Sequence, residues 1–359
     1  MFKKVISQGS LIRLAAHSGA GSLLREVWVQ EKKNGFLLSG IFQKRSISVE
    51  GHTFYLNYSP GRHDRHNIKM LEERGILNPN VPEYYTKDHP NSRRKIALVP
   101  AAEIAPEDRT KFKRALFANV LERNPGEQVL ELEISGFKGR PQKFYIGANY
   151  APVSPYHFVA WMPPAIDRGF LTATRQVYQG INLLYYADNL LQAIGDPELR
   201  IFFSAQGGGN SSDMLHFQIT GAKYPAFAST SYHHPYFREG LGLFYISRTA
   251  WVFPGLLARY NDETRDKYLP KTTTWIKNWL EKNPASNTFN LLGQLRPDGI
   301  RELFFVKRKT GRDYIRESKY DLAGYEISGN FVVETLEEYE NFPRKIPRLE
   351  WDLRRGGQS

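Results

Sequence analysis

The chain has 359 residues, of which 41% are hydrophobic and 24% are charged. That composition is typical of a folded globular protein and excludes the disordered and fibrous classes. At roughly 100–200 residues per domain, the length predicts two domains or one large duplicated one. The sequence contains no cysteine, which excludes disulfide frameworks, thiolate zinc sites and cysteine nucleophiles and fits a reducing compartment.

The formal net charge is +12, from 49 lysines and arginines against 37 acidic residues. Two interpretations of this charge stay open, namely an ordinary basic surface and a surface for an anionic partner such as nucleic acid or polyphosphate. The densest basic clusters lie at 93–95, 307–309 and 354–355. None of them is surrounded by an RNA-binding motif or zinc-finger spacing, so a nucleotide-sized anion is as good a candidate as nucleic acid.

The N-terminal 25 residues contain four basic residues and no acid. A transit peptide has that bias, but the segment lacks the apolar run of a secretory signal, and we expect it to fray or to be helical. The whole sequence lacks a run of about 18 apolar residues, so it predicts no membrane-spanning helix. We expect a cytoplasmic protein.

Residues 26–58 have the pattern of strands separated by turns, with an apolar run at 27–29 and clean alternation at 46–50. Residues 59–92 are rich in His, Arg, Asn and Pro, which predicts a long loop with one short helix at 67–75. Further elements then follow in chain order: a strand at 95–99, a helix at 108–122 and strands at 128–135 and 143–149.

The strongest predicted helix covers residues 172–195. Apolar residues such as Val177, Ile181 and Leu184 recur there at the three- and four-residue spacing of a buried helical stripe. Gly195 and Pro197 are typical helix stop signals. A short apolar strand is predicted at 201–204, directly after this helix.

A weaker echo of this order follows residue 222. It contains helical stretches over 261–282 interrupted at Pro270, a turn at 297–299 and a strand at 302–306. The repeated order of strand, helix, strand, turn and strand indicates a degenerate internal duplication. We therefore expect an N-terminal extension plus catalytic half over 1–222 and a degenerate second half over 223–359. We expect its polar, basic tail, 343–359, to dock as a loop or to fray.

The stretch from Arg200 to Gln218 carries the most distinctive chemistry. A buried strand leads into a run of small residues, Gly207, Gly208, Gly209, Asn210, Ser211 and Ser212. Glycines allow close approach to a ligand, successive amides form an anion-binding nest, and the serine hydroxyls add donors. His216 and Gln218 follow two apart, so they share one face of a strand.

Taken singly, these features are better explained by a glycine-rich turn and an ordinary half-buried histidine. Their fixed order and short spacing favour a phosphate cradle beside a nucleophile-capable imidazole.

This stretch resembles the histidine-triad (HIT-like) superfamily. It is most similar to the branch that contains galactose-1-phosphate uridylyltransferases, diadenosine tetraphosphate phosphorylases and GDP-hexose phosphorylases. In that branch a glycine- and serine-rich loop precedes His-x-His-x-Gln. Here residues 214–218 read Met-Leu-His-Phe-Gln, so His216 and Gln218 match and Met214 replaces the first histidine. The segments 147–163 and 325–340 are similar to further parts of the branch, and the resemblance spans roughly residues 30–342.

The resemblance implies an α+β fold with HIT-like antiparallel sheets, flanking helices and a pseudo-duplication. It also implies that His216 attacks the α-phosphorus of a nucleotide-sugar or dinucleoside polyphosphate, giving a nucleotidyl-histidine intermediate. Inorganic phosphate or a sugar phosphate then takes the nucleotide. Gln218 can hydrogen-bond a phosphate oxygen but cannot protonate a leaving group, which suits transfer rather than hydrolysis. Asn149 would lie near the nucleotide, with turn capping as the open alternative, whereas His157 is assigned a structural role.

A catalytically degenerate nucleotide-binding protein is the alternative, with Met214 as the mark of decay. An RNA-associated basic protein is a third interpretation. Arg62 stands in a basic stretch that is either a polyphosphate contact or a solvated loop. No cofactor and no metal site is expected, because the His63/His66 and His233/His234 pairs lack a clear set of acidic ligands. Nucleic-acid and membrane partners are not expected, and a homodimer stays an open option.

Overall fold

The structure is a computed structural model that describes residues 3–6, 10–14, 19–35, 37–38, 43–62, 70, 73, 129–135, 141–161, 183–205, 216–232, 240–284, 287–309 and 322–356. The elements predicted at 67–75, 95–99 and 108–122 lie outside these ranges, as does the 172–182 part of the long predicted helix.

Fourteen strands and six helices are described in these ranges. The strands are β1 (Lys3–Ile6), β2 (Ser10–Leu14), β3 (Gln43–Val49), β4 (His52–Tyr58), β5 (Val129–Ser135), β6 (Pro141–Ala148), β7 (Phe158–Trp161), β8 (Arg200–Ser204), β9 (His216–Thr220), β10 (Gly242–Ile246), β11 (Gly255–Tyr260), β12 (Asn287–Leu295), β13 (Arg301–Lys309) and β14 (Asn330–Val333). The helices are α1 (Ala20–Lys33), α2 (Leu183–Ile194), α3 (Pro225–Tyr232), α4 (Asp262–Lys282), α5 (Gly324–Ile327) and α6 (Leu336–Gly356).

The strands form one sheet of eleven and one sheet of three. The large sheet has the order β1-β2-β5-β6-β7-β9-β8-β12-β13-β11-β10, and the small sheet has the order β14-β4-β3. All neighbours in the large sheet are antiparallel except β2 and β5, which are parallel. Mostly antiparallel sheets with flanking helices make this an α+β fold, so the predicted fold class is confirmed.

The middle of the large sheet is symmetric about the contact between β8 and β12. On one side the order outward is β8, β9, β7, β6, and on the other it is β12, β13, β11, β10. The five-residue ladder that joins the two sides has Phe202 opposite Leu292 at its centre. Each side also has a helix, α2 or α4, between its outer hairpin and its inner hairpin, which is the arrangement expected of an internal duplication.

Two hydrophobic cores lie on opposite faces of the large sheet. The first contains Phe203, Phe217 and Leu291 and is closed by residues of α1, α2 and α4. The second contains Phe202, Leu292 and Phe304 and is closed by residues of the small sheet, α3, α5 and α6. Because successive strand residues face opposite sides, neighbours such as Phe202 and Phe203 belong to different cores.

The hairpin between β3 and β4 agrees with its sequence pattern. Residues 46–49 of the alternating run predicted at 46–50 lie in β3. The turn falls at Glu50 and Gly51, which both have positive φ (52° and 77°), one residue before the turn expected at Gly51 and His52. Two positive-φ residues between paired strands form the turn that suits the right-handed twist of a hairpin.

Two expectations for the N-terminal region were wrong. The first residues form the strands β1 and β2 rather than a frayed or helical segment. The apolar run at 27–29 lies in α1 and not in a strand. The spacing of the buried residues over a longer window explains the error. Leu24, Val27 and Trp28 are buried on one helical face, while Val29 is 60% exposed.

Two expectations for the C-terminal region were also wrong. The helix α4 runs through Pro270 without interruption, because Leu269, Ile276 and Leu280 on both sides of the proline are buried on one face. The tail is the helix α6 rather than a loop, although it contains Pro343 and Pro347. Its buried Tyr339, Phe342 and Leu349 recur at helical spacing and belong to the second core.

None of the helices in the described ranges is long and apolar enough to cross a bilayer.

Candidate functional site

The strands β7 and β9 bring the two central candidates onto one face of the sheet. His216 is the first residue of β9 and lies opposite Trp161, and Gln218 lies opposite Val159. Phe217 between them points to the other face and belongs to the first core. His216 is largely buried, with 9% of its surface exposed, whereas Gln218 is half-buried. The predicted sharing of one strand face is therefore observed.

Asn149 opens the turn that leads into β7. Its side-chain Oδ1 accepts a hydrogen bond from the Ala151 N–H at 3.1 Å, and its own N–H donates to the carbonyl of His157 at 2.8 Å. This is the geometry of an Asx turn, in which the side chain replaces a backbone acceptor. The turn-capping role is therefore present, and contact between Asn149 and a nucleotide stays a prediction.

His157 is tied to Gln218 by a hydrogen bond. The Nδ1 of His157 accepts from the Val153 N–H at 3.0 Å, so the ring proton of the neutral imidazole lies on Nε2. That Nε2 lies 2.5 Å from the Oε1 of Gln218 and donates to it. Burial lowers the pKa of His157 to about 3, and the nearby positive charge of Arg62 acts in the same direction. The ring is thus neutral throughout the physiological pH range.

The direct contact between His157 and Gln218 was missed by sequence reasoning, which assigned His157 a structural role. The only signal was its position in the 147–163 segment of the family resemblance. The contact joins residues 61 positions apart and depends on the register between β7 and β9.

Arg62 follows β4 and lies close to the same turn. Its Nη1 donates to the Ala151 carbonyl at 3.4 Å, and its Nε lies 3.6 Å from the Oε1 of Glu334. The side chain is 19% exposed. The basic stretch was interpreted either as a polyphosphate contact or as a solvated loop. At Arg62, the part that the structure describes, the side chain is packed rather than solvated.

The C-terminal segment that begins with Leu322 packs against the turn before β7. The hydroxyl of Tyr325 donates to the Val153 carbonyl at 3.0 Å. The carboxyl of Glu326 accepts from the Ala323 N–H at 2.9 Å, and burial raises the pKa of this carboxyl. Since Val153 also bonds to His157, this C-terminal segment is linked to Gln218 through the Val153 backbone and the His157 ring.

The end of β8 is anchored by the same C-terminal segment. The hydroxyl oxygen of Ser204 accepts from the Asn290 Nδ2 at 2.9 Å and from the Gly324 N–H at 3.1 Å. Arg308 is buried and donates to the Oδ1 of Asn290 and to the carbonyl of Leu322. This network fixes the strand from which the chain enters the glycine-rich stretch.

Several predicted residues lie outside the described ranges. They are Gly207, Gly208, Gly209, Asn210, Ser211, Ser212 and Met214, together with His63, His66, His233 and His234. The predicted phosphate cradle next to His216 therefore stays a prediction. In the part of the chain that the structure describes, no three His, Asp or Glu side chains are grouped so as to hold a metal ion.

Comparison with known proteins gives a match in structure. No protein-family model matches the sequence, and no curated protein matches it. Solved structures of yeast Ap4A phosphorylase Apa2 do match over nearly the whole chain. The complex with AMP has a TM-score of 0.51 at 12% identity, covering 92% of this chain and 94% of that one. The complex with Ap4A has a TM-score of 0.51 at 13% identity, covering 93% and 95%.

The chain has the fold of Ap4A phosphorylase Apa2. The fold expected from the resemblance is therefore confirmed, because the match covers more than nine tenths of this chain. At 12–13% identity the match to Apa2 carries the architecture and not the site residues.

Proposed function

We propose that the protein is a nucleotidyltransferase of the phosphorylase type. Its donor is a dinucleoside polyphosphate or a nucleoside diphosphate sugar, and its acceptor is inorganic phosphate or a sugar phosphate. The observation that carries this proposal is the pair His216 and Gln218 on one face of β9, with the Gln218 amide bonded to His157. The pair stands on a fold shared with a phosphorylase whose solved complexes contain AMP and Ap4A.

The reaction runs as two displacements at the α-phosphorus. A nitrogen of His216 attacks this phosphorus, the P–N bond forms, and the P–O bond to the remainder of the donor breaks. With Ap4A as donor, ATP leaves and AMP stays on the imidazole. A phosphate oxygen then attacks the same phosphorus, the P–N bond breaks, and ADP is released. The sum is Ap4A plus phosphate giving ATP plus ADP.

The supporting groups have separate tasks in this reaction. Gln218 donates from its amide to an oxygen of the transferred phosphoryl group, and it has no proton to give to a leaving group. The backbone amides of Gly207–Gly209 and the hydroxyls of Ser211 and Ser212 stabilise the charge that develops on the same oxygens. We assign these tasks to the half of the chain that covers residues 1–222. We also assign the protein a cytoplasmic location, since the absence of cysteine fits a reducing compartment.

The test is phosphorolysis by the purified full chain. It is incubated with Ap4A or with each of a panel of nucleoside diphosphate hexoses, with and without inorganic phosphate, and the nucleotides formed are quantified. We expect a nucleoside diphosphate product that requires phosphate and disappears in His216→Ala. Turnover that survives in His216→Ala would remove this histidine from the reaction.

The alternative of a catalytically degenerate protein gives a different result in the same panel. It is supported by Met214, which replaces the first histidine of the family pattern. A degenerate protein raises its melting temperature with one of the nucleotides and turns over none of them. That outcome would overturn the proposed activity and keep the nucleotide site.

A further inference from the structure

We propose that His157 is a positioning residue that fixes the amide of Gln218 with its nitrogen directed at the phosphate. This role rests on the proposed function, because it gives Gln218 its donor in that reaction. The geometry behind it is two short hydrogen bonds of His157, at 3.0 Å to Nδ1 and at 2.5 Å from Nε2, with the Nδ2 of Asn149 farther from Nε2 at 3.5 Å.

The first step is the tautomer of His157. A backbone N–H can only donate, so the Val153 N–H makes Nδ1 of the ring an acceptor. The ring is fully buried and its pKa is lowered to about 3, so it is neutral and carries its single proton on Nε2. No second tautomer satisfies Val153.

The second step is the orientation of the Gln218 amide. A donating Nε2 at 2.5 Å requires an acceptor, and the amide of glutamine has only its oxygen to offer. The amide nitrogen of Gln218 is therefore on the side away from His157. Among the described residues the one side-chain hydrogen bond of Gln218 is made by its oxygen, and in the proposed reaction its amide nitrogen donates to a phosphate oxygen.

The third step is the rigidity of His157 itself. The Val153 carbonyl accepts from the Tyr325 hydroxyl at 3.0 Å, and the His157 carbonyl accepts from the Asn149 N–H at 2.8 Å. The ring is thus held by a turn that is bonded on both sides. A flipped amide at position 218 would set two donors against each other and lose this bond.

The experiment measures single-turnover labelling of the protein by labelled Ap4A in a double-mutant cycle. His157→Phe keeps a ring of similar size but removes the donor, and Gln218→Ala removes the group it orients. Each single variant is expected to label about 10- to 100-fold more slowly at saturating Ap4A, the loss typical of a misplaced catalytic group. The double variant is expected to be no slower than Gln218→Ala alone.

Two further variants separate positioning from general damage to the fold. His157→Gln carries an amide N–H that can donate to Gln218, and it is expected to recover part of the lost rate. His52→Phe is the matched control, because His52 is also buried and packs against Trp251. It is expected to label at the wild-type rate.

The outcomes distinguish this inference from the proposed function. Losses that multiply in the double variant, or a normal rate in His157→Phe, would overturn the role of His157 and leave the function intact. Absence of labelling of the wild-type protein by Ap4A and by every nucleoside diphosphate hexose of the panel would overturn the proposed function and, with it, this role.

Discussion

The two halves of the large sheet have the same strand order but different chemistry at matching positions. Gln218 lies opposite Phe202, which lies opposite Leu292, which in turn lies opposite Phe304. Gln218 and Phe304 are therefore counterparts across the centre of the sheet. Two residues earlier on each strand, the counterpart of His216 is Glu302.

At these matching positions the side chains of the second half are held by packing or by an ion pair. Phe304 belongs to the second core. Glu302 is bonded through one oxygen to the Arg259 Nε at 2.6 Å and through the other to the Gln294 Nε2. The counterpart of His157 is Gly255, where an added Cβ would overlap the carbonyl oxygen of Phe305. The second half is thus closed by packing at the positions where we propose that the first half carries the chemistry.

The loop that joins the two inner strands also differs between the halves. The second-half hairpin turns within residues 296–300, with the Arg296 N–H donating to the Ile300 carbonyl at 2.8 Å and Gly299 at a φ of 80°. The first-half connection covers residues 205–215 and includes the three glycines and two serines. A tight turn has no room for an anion-binding nest, so we assign the proposed phosphate binding to the longer connection.

The largest expected difference between the halves is in catalysis. His216→Ala is expected to lower the labelling rate at least about 10³-fold, because it removes the nucleophile. Glu302→Gln, at the matching position of the second half, is expected to leave the rate per folded molecule unchanged. Single-turnover labelling measures both, and equal losses in the two variants would contradict the division of labour.

The next effect is on stability, at the ion pair that occupies the second half. The side chains of Arg259 and Glu302 are 1% and 3% exposed. Arg259→Ala leaves a buried carboxylate without its cation, and we expect the free energy of unfolding to fall by about 3–5 kcal/mol. Urea denaturation measures it.

The control for this loss lies on the surface of the same half. The exposed pair of Lys277 and Glu281 spans one turn of α4. Lys277→Ala is expected to change the free energy of unfolding by less than about 0.5 kcal/mol. Similar values for the exposed and the buried variant would mean that burial does not set the cost.

A loss of stability smaller than that of Arg259→Ala is expected at Gly255. In Gly255→Ala the new methyl group meets the Phe305 carbonyl, and overpacking of this kind typically costs about 1–3 kcal/mol. The labelling rate per folded molecule is expected to stay at the wild-type value, in contrast to His157→Phe at the matching position. A neutral effect on stability would show that the strand accepts a side chain here.

A further modest effect is the pH dependence of stability that His157 contributes. Its pKa is about 3 in the folded protein and about 6.5 when exposed. The unfolded state therefore binds the extra proton, so the free energy of unfolding falls as the pH drops from 6.5 toward 3 and is unaffected above 6.5. At pH 5.5 the resulting loss in the free energy of unfolding is on the order of 1 kcal/mol.

The profile of His157→Phe tests this sign. Its free energy of unfolding, measured by denaturation from pH 7.5 to 5, is expected to decline less steeply than that of the wild-type protein. Parallel profiles would mean that His157 takes up its proton over the same pH range in the folded and the unfolded state.

The sequence predicted three of the four inner strands, β8, β9 and β13, because their patterns are local. The apolar run at 201–204 and the alternation through Gln218 identified β8 and β9, and β13 came from the same signal. The repeated element order was visible at the level of secondary structure. The strand order and its symmetry depend on pairing between distant strands and were not accessible.

The errors arose where packing outweighed local signals. The apolar run Val27–Val29 taken alone predicts a strand. The burial of Leu24 one turn earlier, on the same face as Val27 and Trp28, identifies the segment as a helix. Pro343 and Pro347 argue against a helix, but the second core holds α6 in place. In the site, the pairing of His216 with Gln218 on one face followed from their spacing. The bond to His157 required the register of β7 against β9.

The most direct measurement is the position of the covalent nucleotide. The full chain is reacted with labelled Ap4A without phosphate, digested under conditions that preserve phosphorus–nitrogen bonds, and mapped by mass spectrometry. Our account expects an AMP group on His216 that is released as ADP when phosphate is added. Phosphate-dependent turnover with no AMP on the protein, or with AMP on another residue, would contradict it.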